Sequence, residues 1–137
     1  MILKIDHVGI AVRSIEKTLQ VYCEVLGLTP ENIERETVKE QNAMVAMLPI
    51  GESRIELLES TSPDGVLAKT IEKKGEGLHH LAIGVSDINA ALKNLKEKGI
   101  ILVDKEPRIG AGGAKIAFVH PKSSKALLEL VERKNGK

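Results

Sequence analysis

The sequence predicts an α+β fold built from two copies of one module, each a strand, a helix and three further strands. Three observations support this prediction: an internal repeat, two alternating stretches with the period of half-buried strands, and a capped helical stretch after each of them. The chain has 137 residues, which suits one ordinary domain or two small modules that share a core. We expect a single domain over 1–137, with module 1 at 1–62, a linker at 63–77 and module 2 at 78–137.

The internal repeat is visible at both ends of the predicted module. Segment 5–12 (IDHVGIAV) recurs as segment 78–85 (LHHLAIGV), at a shift of 78 − 5 = 73 residues. The same shift brings segment 55–59 (IELLE) onto segment 128–132 (LELVE). Two matches at one common offset indicate that the chain contains a duplication.

Each copy follows the same order of predicted elements. The alternating stretches are the first strands, and the helices open at a cap, which is Ser14 in the first copy and Ser86 or Asp87 in the second. The helices end near Gly27 and Gly99, because glycine adopts the left-handed conformation that closes a helix. A short helix is predicted in the linker at 66–73. The remaining predicted strands are 29–36, 43–49 and 54–59 in the first copy and 100–103, 115–119 and 126–131 in the second.

The composition argues against several classes of partner. A net charge of +1 gives no electrostatic reason to expect nucleic acid or a membrane surface, and one Phe with one Tyr is too few aromatics for base stacking. No apolar run approaches the roughly 18 residues of a membrane span, and no signal segment is recognisable, so we expect a cytoplasmic protein. Cys23 is the only cysteine, and its place in a predicted helix favours a buried apolar role over nucleophilic chemistry.

Charged and polar residues interrupt the apolar strands in the same way in both copies. Strand alternation puts each histidine in a row with two very small residues, which are Gly9 and Ala11 after His7, and Ala82 and Gly84 after His80. We expect these rows to leave room for a ligand. Glu56 and Glu129 interrupt runs of leucine and isoleucine, where an unpaired carboxylate carries a large desolvation cost, so a positive partner is expected.

These two histidines and two glutamates, one of each per copy, form a candidate site for a divalent ion. Imidazole and carboxylate ligands suit Co²⁺, Mn²⁺, Ni²⁺, Zn²⁺ or Fe²⁺, and four of them around an octahedral ion leave two positions for water or substrate. Taken alone, each histidine could instead be a structural core residue, and each glutamate could lie on the solvated face of an edge strand. The common offset of 73 residues favours the metal site.

The paired histidine strands and glutamate strands resemble the vicinal oxygen chelate superfamily, which includes glyoxalases, extradiol dioxygenases and bleomycin-resistance proteins. Within it the chain is most similar to the methylmalonyl-CoA epimerases, and the resemblance covers the whole chain. The shared motifs are DHVGIAV at 6–12, EQ at 40–41, GLHHLA at 77–82, GAGG at 110–113, HPK at 120–122 and LEL at 128–130. The resemblance implies two βαβββ modules whose curved mixed sheet surrounds a central metal site, and it implies a homodimer.

The resemblance also assigns roles to residues. By position, His7, His80 and Glu129 match metal ligands of the family, whereas Glu56 stands where some members have a glutamine ligand. The expected ion is Co²⁺, with Mn²⁺, Ni²⁺, Zn²⁺ or Mg²⁺ as alternatives. Some bacterial members have a second active-site glutamate whose position here is Val45. Glu129, a ligand first, is therefore also our candidate for proton transfer.

The implied reaction is the interconversion of (R)- and (S)-methylmalonyl-CoA through a metal-stabilised enolate. Its substrate is an acyl-CoA, whose phosphates need cations, and the candidates are Lys115, Lys122 and Lys125 around the glycine loop 110–113. His120, in front of a proline, is interpreted as a structural turn residue. Two alternatives stay open: a glyoxalase-type or other metal-dependent enzyme of the same fold, and a drug-binding protein without chemistry.

Overall fold

The part of the chain that the computed structural model describes, residues 1–134, contains eight strands and four α-helices. The last three residues of the predicted second module lie outside it. The strands are β1 (Ile2–Ala11), β2 (Glu34–Val38), β3 (Ala43–Ile50), β4 (Ser53–Ser60), β5 (Gly77–Val85), β6 (Arg108–Ile109), β7 (Lys115–Val119) and β8 (Leu128–Glu132). The helices are α1 (Ile15–Leu19), α2 (Val66–Lys74), α3 (Ile88–Glu97) and α4 (Pro121–Ser124). None of the described helices has the length and apolar character needed to cross a bilayer.

The chain folds into two compact units. The central unit is Gly9–His79, and the terminal unit joins Met1–Val8 to His80–Lys137. These units differ from the linear modules predicted from the repeat, because most of β1 belongs to the terminal unit. The module boundaries therefore stay a prediction.

The strands of each unit follow a simple order. In the central unit β2, β3 and β4 are antiparallel neighbours, and the Val12 N–H donates to the Leu58 carbonyl at 2.8 Å where β1 ends. In the terminal unit the order is β1, β5, β8, β7, β6, with β5 and β8 parallel and the last two pairs antiparallel. Parallel and antiparallel pairs with interspersed helices confirm the predicted α+β class with a mixed sheet.

The two units build their cores from equivalent positions. One core lies in the central unit and one in the terminal unit, and each packs the helix after its first strand against the sheet. Five pairs of buried core residues are separated by 73 positions, namely Val12 and Val85, Ile15 and Ile88, Leu19 and Leu92, Ala46 and Val119, and Leu57 and Leu130. The repeat seen in the sequence is therefore also a repeat of packing.

The predicted helix ends agree with the structure. Ser14 caps α1 by accepting from the Lys17 N–H at 3.2 Å, and of the two alternatives for α3 it is Asp87 that caps, accepting from the Ala90 N–H at 3.0 Å. Beyond α1 the chain continues as a π-helical segment to Val25. The glycines at the two helix ends, Gly27 and Gly99, have φ angles of 82° and 73°, which is the left-handed region.

The predicted strand at 100–103 is wrong. This segment makes only an isolated bridge, between Leu102 and Val119, and the short strand β6 forms farther along the chain. The reason is Asp104, whose carboxylate accepts the Phe118 N–H at 2.9 Å, a donor that a neighbouring strand's carbonyl would otherwise take. The Phe118 carbonyl in turn accepts the N–H groups of both Val103 and Asp104. A side chain thus replaces part of the ladder.

The predicted strand at 29–36 begins too early. Pro30 opens a single 3₁₀ turn, Pro30–Asn32, and the strand starts only at Glu34. Proline has no N–H to give to a ladder and fixes φ near the helical value, so the turn is favoured there. The other predicted strands and the linker helix agree with the structure to within a few residues.

Candidate metal centre

Two buried histidines meet on neighbouring strands of the terminal unit. His7 lies on β1 and His80 on β5, and the two residues are 3% and 7% exposed. Their Nε2 atoms are 3.1 Å apart, and the rings stand at 89° with centroids 5.1 Å apart. The two Nε2 atoms therefore face each other, and either one proton or one cation between them can bind to both.

Glu129 completes this cluster from β8. Its strand runs parallel to β5 with Ala82 opposite Glu129, so the carboxylate shares a face with His80 two residues earlier. Glu129 Oε1 lies 2.8 Å from His7 Nε2 and 3.2 Å from His80 Nε2. Within residues 1–134, however, no donor makes a hydrogen bond of satisfactory geometry to this buried oxygen. Three of the four predicted ligands thus converge in one unit.

The charge of Glu129 depends on the two imidazoles. Burial by itself raises the pKa of this carboxyl group, but its close electrostatic interactions with the His7 and His80 imidazoles outweigh burial and lower its pKa to about 2. The carboxylate is therefore ionised at neutral pH although only 6% of the residue is exposed. The two imidazoles are the polar partners that stabilise this carboxylate in an apolar strand.

The spacing of the three candidate ligand atoms is compatible with a divalent ion. An octahedral ion with bonds of about 2.1 Å holds neighbouring ligand atoms about 3.0 Å apart, whereas a tetrahedral ion holds them about 3.4 Å apart. The observed separations are 2.8, 3.1 and 3.2 Å. Two imidazole nitrogens and one carboxylate oxygen, with that oxygen poorly served by hydrogen bonds, fit an octahedral ion with open positions.

Glu56 belongs to the central unit. It lies on β4, opposite Met47 of β3, and is 5% exposed. Its role as a fourth ligand stays a prediction. Val45 is equally buried, on β3 between Glu36 and Leu58, and it offers no titratable group.

Sequence reasoning missed two residues on the Nδ1 side of His7, Asp6 and Arg133. Asp6 Oδ1 accepts from His7 Nδ1 at 2.7 Å, and Arg133 donates to both Asp6 oxygens, at 2.8 Å from Nε and 2.6 Å from Nη2. Burial raises the pKa of Asp6, but the hydrogen bonds and charges of Arg133 and His7 hold it well below its usual range. The position of Asp6 directly before His7 in the motif 6–12 could have indicated its role, whereas no sequence pattern pointed to Arg133.

A second missed contact lies beside His80. The Phe118 ring meets the His80 ring edge to face, with centroids 5.6 Å apart, and the Arg108 guanidinium lies 5.5 Å from the Phe118 centroid. The single phenylalanine of the chain therefore packs against a candidate ligand. Its position on β7, directly opposite Glu129 on β8, was the available signal.

The row of small residues after His80 is not open space. Ala82 is fully buried in a cluster with Ala114, Ile116, Phe118 and Val131. The expectation that this row leaves room for a ligand is therefore wrong at Ala82, because side chains from β7 and the preceding loop already cover it.

The glycine loop has structural reasons for its composition. A Cβ at Gly110 would lie 2.8 Å from the Ile116 side chain, and Gly112 and Gly113 have φ angles of 69° and 75°. His120 is exposed and caps α4 through Nδ1, which accepts from the Lys122 N–H at 2.9 Å. This agrees with its interpretation as a turn residue.

Comparison with known proteins gives one consistent result. Residues 6–118 match the family described as the Glyoxalase/Bleomycin resistance protein/Dioxygenase superfamily. The chain is 40% identical over 132 residues to the uncharacterized protein YqjC of Bacillus subtilis (strain 168), covering 96% of this chain and 93% of YqjC.

Relatives with a named activity are also similar along the chain. The mitochondrial methylmalonyl-CoA epimerase of Homo sapiens is 34% identical over 131 residues, covering 95% of this chain and 73% of that protein. A solved structure of methylmalonyl-CoA epimerase in complex with methylmalonyl-CoA and NH4+ is 34% identical, with a TM-score of 0.91 over 100% of this chain and 99% of that one.

Proposed function

Because the chain belongs to the methylmalonyl-CoA epimerase family of the glyoxalase/bleomycin resistance/dioxygenase superfamily, we propose that it interconverts (R)- and (S)-methylmalonyl-CoA. Similarity along the whole chain to a structure that holds methylmalonyl-CoA supports this substrate. Within the chain itself, the proposal is carried by the convergence of His7 Nε2, His80 Nε2 and Glu129 Oε1 at 2.8–3.2 Å.

The proposed reaction uses a divalent ion held by His7, His80 and Glu129, with Glu56 as the proposed fourth ligand. Such an ion supplies Lewis-acid stabilisation for the negative charge that collects on the thioester oxygen when the substrate loses its α-proton. Co²⁺ is the ion we expect first, and Mn²⁺, Ni²⁺, Zn²⁺ and Mg²⁺ are alternatives for the same mixed nitrogen and oxygen set.

Epimerisation requires a base on one face of the α-carbon and an acid on the other, each typically contributing ~10²–10⁴-fold. Glu129 is our candidate for one of these groups. Its pKa of about 2 makes it a strong anionic ligand and a weak base at neutral pH. We therefore assign Glu129 to binding first, and its part in proton transfer stays a prediction. Val45 cannot supply the second group.

The coenzyme A portion needs positive charge near its phosphates. Lys115, Lys122 and Lys125 are all exposed, and Lys115 Nζ lies 3.9 Å from a Glu132 oxygen. We propose that these lysines bind the phosphates of coenzyme A. The homodimer and the cytoplasmic location likewise remain predictions.

Exchange of the α-proton with solvent tests the proposed reaction directly. The purified protein, loaded with Co²⁺, is incubated in deuterated buffer with (S)-methylmalonyl-CoA, and mass and stereochemistry are followed together. We expect α-deuterium to appear as the configuration scrambles, faster than without enzyme, because the enolate can be reprotonated with a deuteron from the solvent. Incorporation at the enzyme-free rate would contradict the epimerase proposal.

A matched pair of variants identifies the site responsible. His80→Ala should lose both exchange and inversion, whereas His120→Ala, which changes an exposed helix cap, should retain them. A glyoxalase-type enzyme would ignore methylmalonyl-CoA and act on a hemithioacetal. A binding protein would bind its ligand and leave it unchanged.

A further inference from the structure

A chain of hydrogen bonds connects the C-terminal end of the terminal unit to the candidate metal centre. It runs from Arg133 to Asp6 and from Asp6 to His7, with distances of 2.6–2.8 Å. The side chains of Arg133 and Asp6 are 11% and 3% exposed. Two parallel hydrogen bonds between a guanidinium and a carboxylate fix orientation as well as charge.

The protonation of His7 follows from this chain. Arg133 can only donate, so both Asp6 oxygens accept from it, and Oδ1, which also faces His7 Nδ1, is an acceptor for that nitrogen as well. His7 Nδ1 must then carry the proton that it donates to Asp6. In a neutral imidazole the lone pair consequently lies on Nε2, the nitrogen that faces Glu129 and His80.

The second copy of the repeat lacks this arrangement. Shifted by 73 residues, Asp6 corresponds to His79 and Arg133 to Ser60. Neither residue can supply the carboxylate or the guanidinium. The ion pair is therefore found beside His7 and not beside His80. If the duplicated fold itself required the ion pair, both copies would contain it.

We propose that Arg133 and Asp6 are positioning residues of the metal centre, which hold His7 in the tautomer and orientation that present the Nε2 lone pair to the ion. This inference rests on the proposed metal site. Partners of this kind fix ligand geometry, and their loss typically weakens metal binding ~10–100-fold. It adds a residue near the C-terminal end of the chain, outside every motif of the sequence, to the machinery of the site.

Asp6→Asn is the sharpest variant, because it preserves volume and removes one of the two acceptors. Asp6 Oδ1 faces both His7 Nδ1 and Arg133 Nη2, and Oδ2 faces Arg133 Nε, so in either orientation the asparagine NH2 group meets an Arg133 donor. The variant therefore loses the paired hydrogen bonds and the carboxylate that hold the proton on His7 Nδ1. Arg133→Gln removes the charge and the paired donors, and Arg133→Lys keeps the charge but not the paired geometry.

Two measurements test the inference together. Co²⁺ affinity is measured by competition with a chelator, and the tautomer of His7 is read from imidazole ¹⁵N shifts of the metal-free protein. We expect Nδ1–H in the wild type and a larger population of the Nε2–H tautomer in Asp6→Asn. Affinity should fall ~10–100-fold in Asp6→Asn and Arg133→Gln and less in Arg133→Lys. Arg13→Gln, the same charge change at an exposed residue, should bind as the wild type does.

The outcomes separate the inference from the function on which it rests. Wild-type Co²⁺ affinity in Asp6→Asn, or an unchanged His7 tautomer in that variant, overturns the positioning role while leaving the metal centre intact. A wild-type protein that binds no Co²⁺ contradicts the metal centre itself and the inference with it. Asp6→Asn decides the question even if Arg133→Gln does not fold, because it removes no volume.

Discussion

The carboxylate of Glu129 is ionised although almost none of it is exposed, and the two imidazoles beside it make this possible. Such a group holds a cation well. It accepts a proton poorly at neutral pH, because a base works best when its pKa is near the working pH. Imidazoles bind a metal ion in their neutral form, so protons and a metal ion compete for His7 and His80.

Ala82 shows what a single buried position tolerates. It touches the cluster of Ala114, Phe118 and Val131 beside the candidate centre. We expect Ala82→Leu to lower the free energy of unfolding by ~1–3 kcal/mol, since a packed core has no volume for three more carbon atoms. Urea unfolding of the metal-free protein measures this. Ala126→Leu, at an exposed position, is the control, and equal stability of the two variants would show that the space over Ala82 is empty.

Sequence reasoning identified the candidate ligands but not the residues that contact them. His7, His80 and Glu129 were predictable because the repeat and strand alternation place polar residues on one face. Arg133 was not, since its hydrogen bonds to Asp6 join positions 127 residues apart and depend on side-chain conformation. Phe118 was missed because its contact with His80 depends on the strand order β5, β8, β7, which the sequence pattern does not report.

At the scale of elements, one hydrogen bond connects a helix to a strand in the same way in both units, α1 to β4 in the central unit and α3 to β8 in the terminal unit. Glu59 Oε1 accepts the Ile15 N–H at 2.8 Å in the central unit, and Glu132 Oε1 accepts the Ile88 N–H at 2.9 Å in the terminal unit. The offset is again 132 − 59 = 73. Each carboxylate meets the positive end of a helix and satisfies one N–H that has no partner within the helix.

This shared bond predicts a graded effect of substitution. Glu132→Ala should lower the free energy of unfolding by ~1 kcal/mol, in the range known for lost helix caps. Glu132→Gln should lose less, because its amide oxygen still accepts the Ile88 N–H and only the charge is gone. Thermal unfolding of both variants, and of the same pair at Glu59, measures the effect. An alanine variant as stable as the glutamine variant would show that the bond contributes nothing.

The errors in predicted elements have local causes that periodicity does not report. The strand expected at 100–103 is apolar enough, but the Asp104 carboxylate takes a ladder donor from its neighbour. The strand expected at 29–36 loses its first residues to the turn that Pro30 opens. Strands whose alternation is uninterrupted, such as β1 and β5, were found almost to their ends.

For the molecule as a whole, the terminal unit links the two ends of the chain. His7 and Glu129 are separated by 129 − 7 = 122 residues, and their ligand atoms are 2.8 Å apart. Asp6 and Arg133 join the same two segments. A cation bound by His7, His80 and Glu129 would therefore cross-link the first strand to the last one. The unfolded chain cannot present these ligands together, so binding should favour the folded state.

Metal removal should consequently destabilise the whole protein. With free Co²⁺ at a thousand times its dissociation constant, binding contributes ~4 kcal/mol to the free energy of unfolding. For a chain of this size that corresponds to a rise in Tm on the order of 10 °C. Differential scanning calorimetry of the EDTA-treated protein, before and after adding Co²⁺, measures it. His7→Ala should unfold at one temperature in both conditions, because the link to the first strand is gone. Amide hydrogen exchange shows which strands the ion stabilises. Co²⁺ should slow exchange in β1 and β8 of the wild type but not in those of His7→Ala. A wild-type Tm that does not respond to any of the candidate ions would contradict both the metal centre and its role in closing the terminal unit.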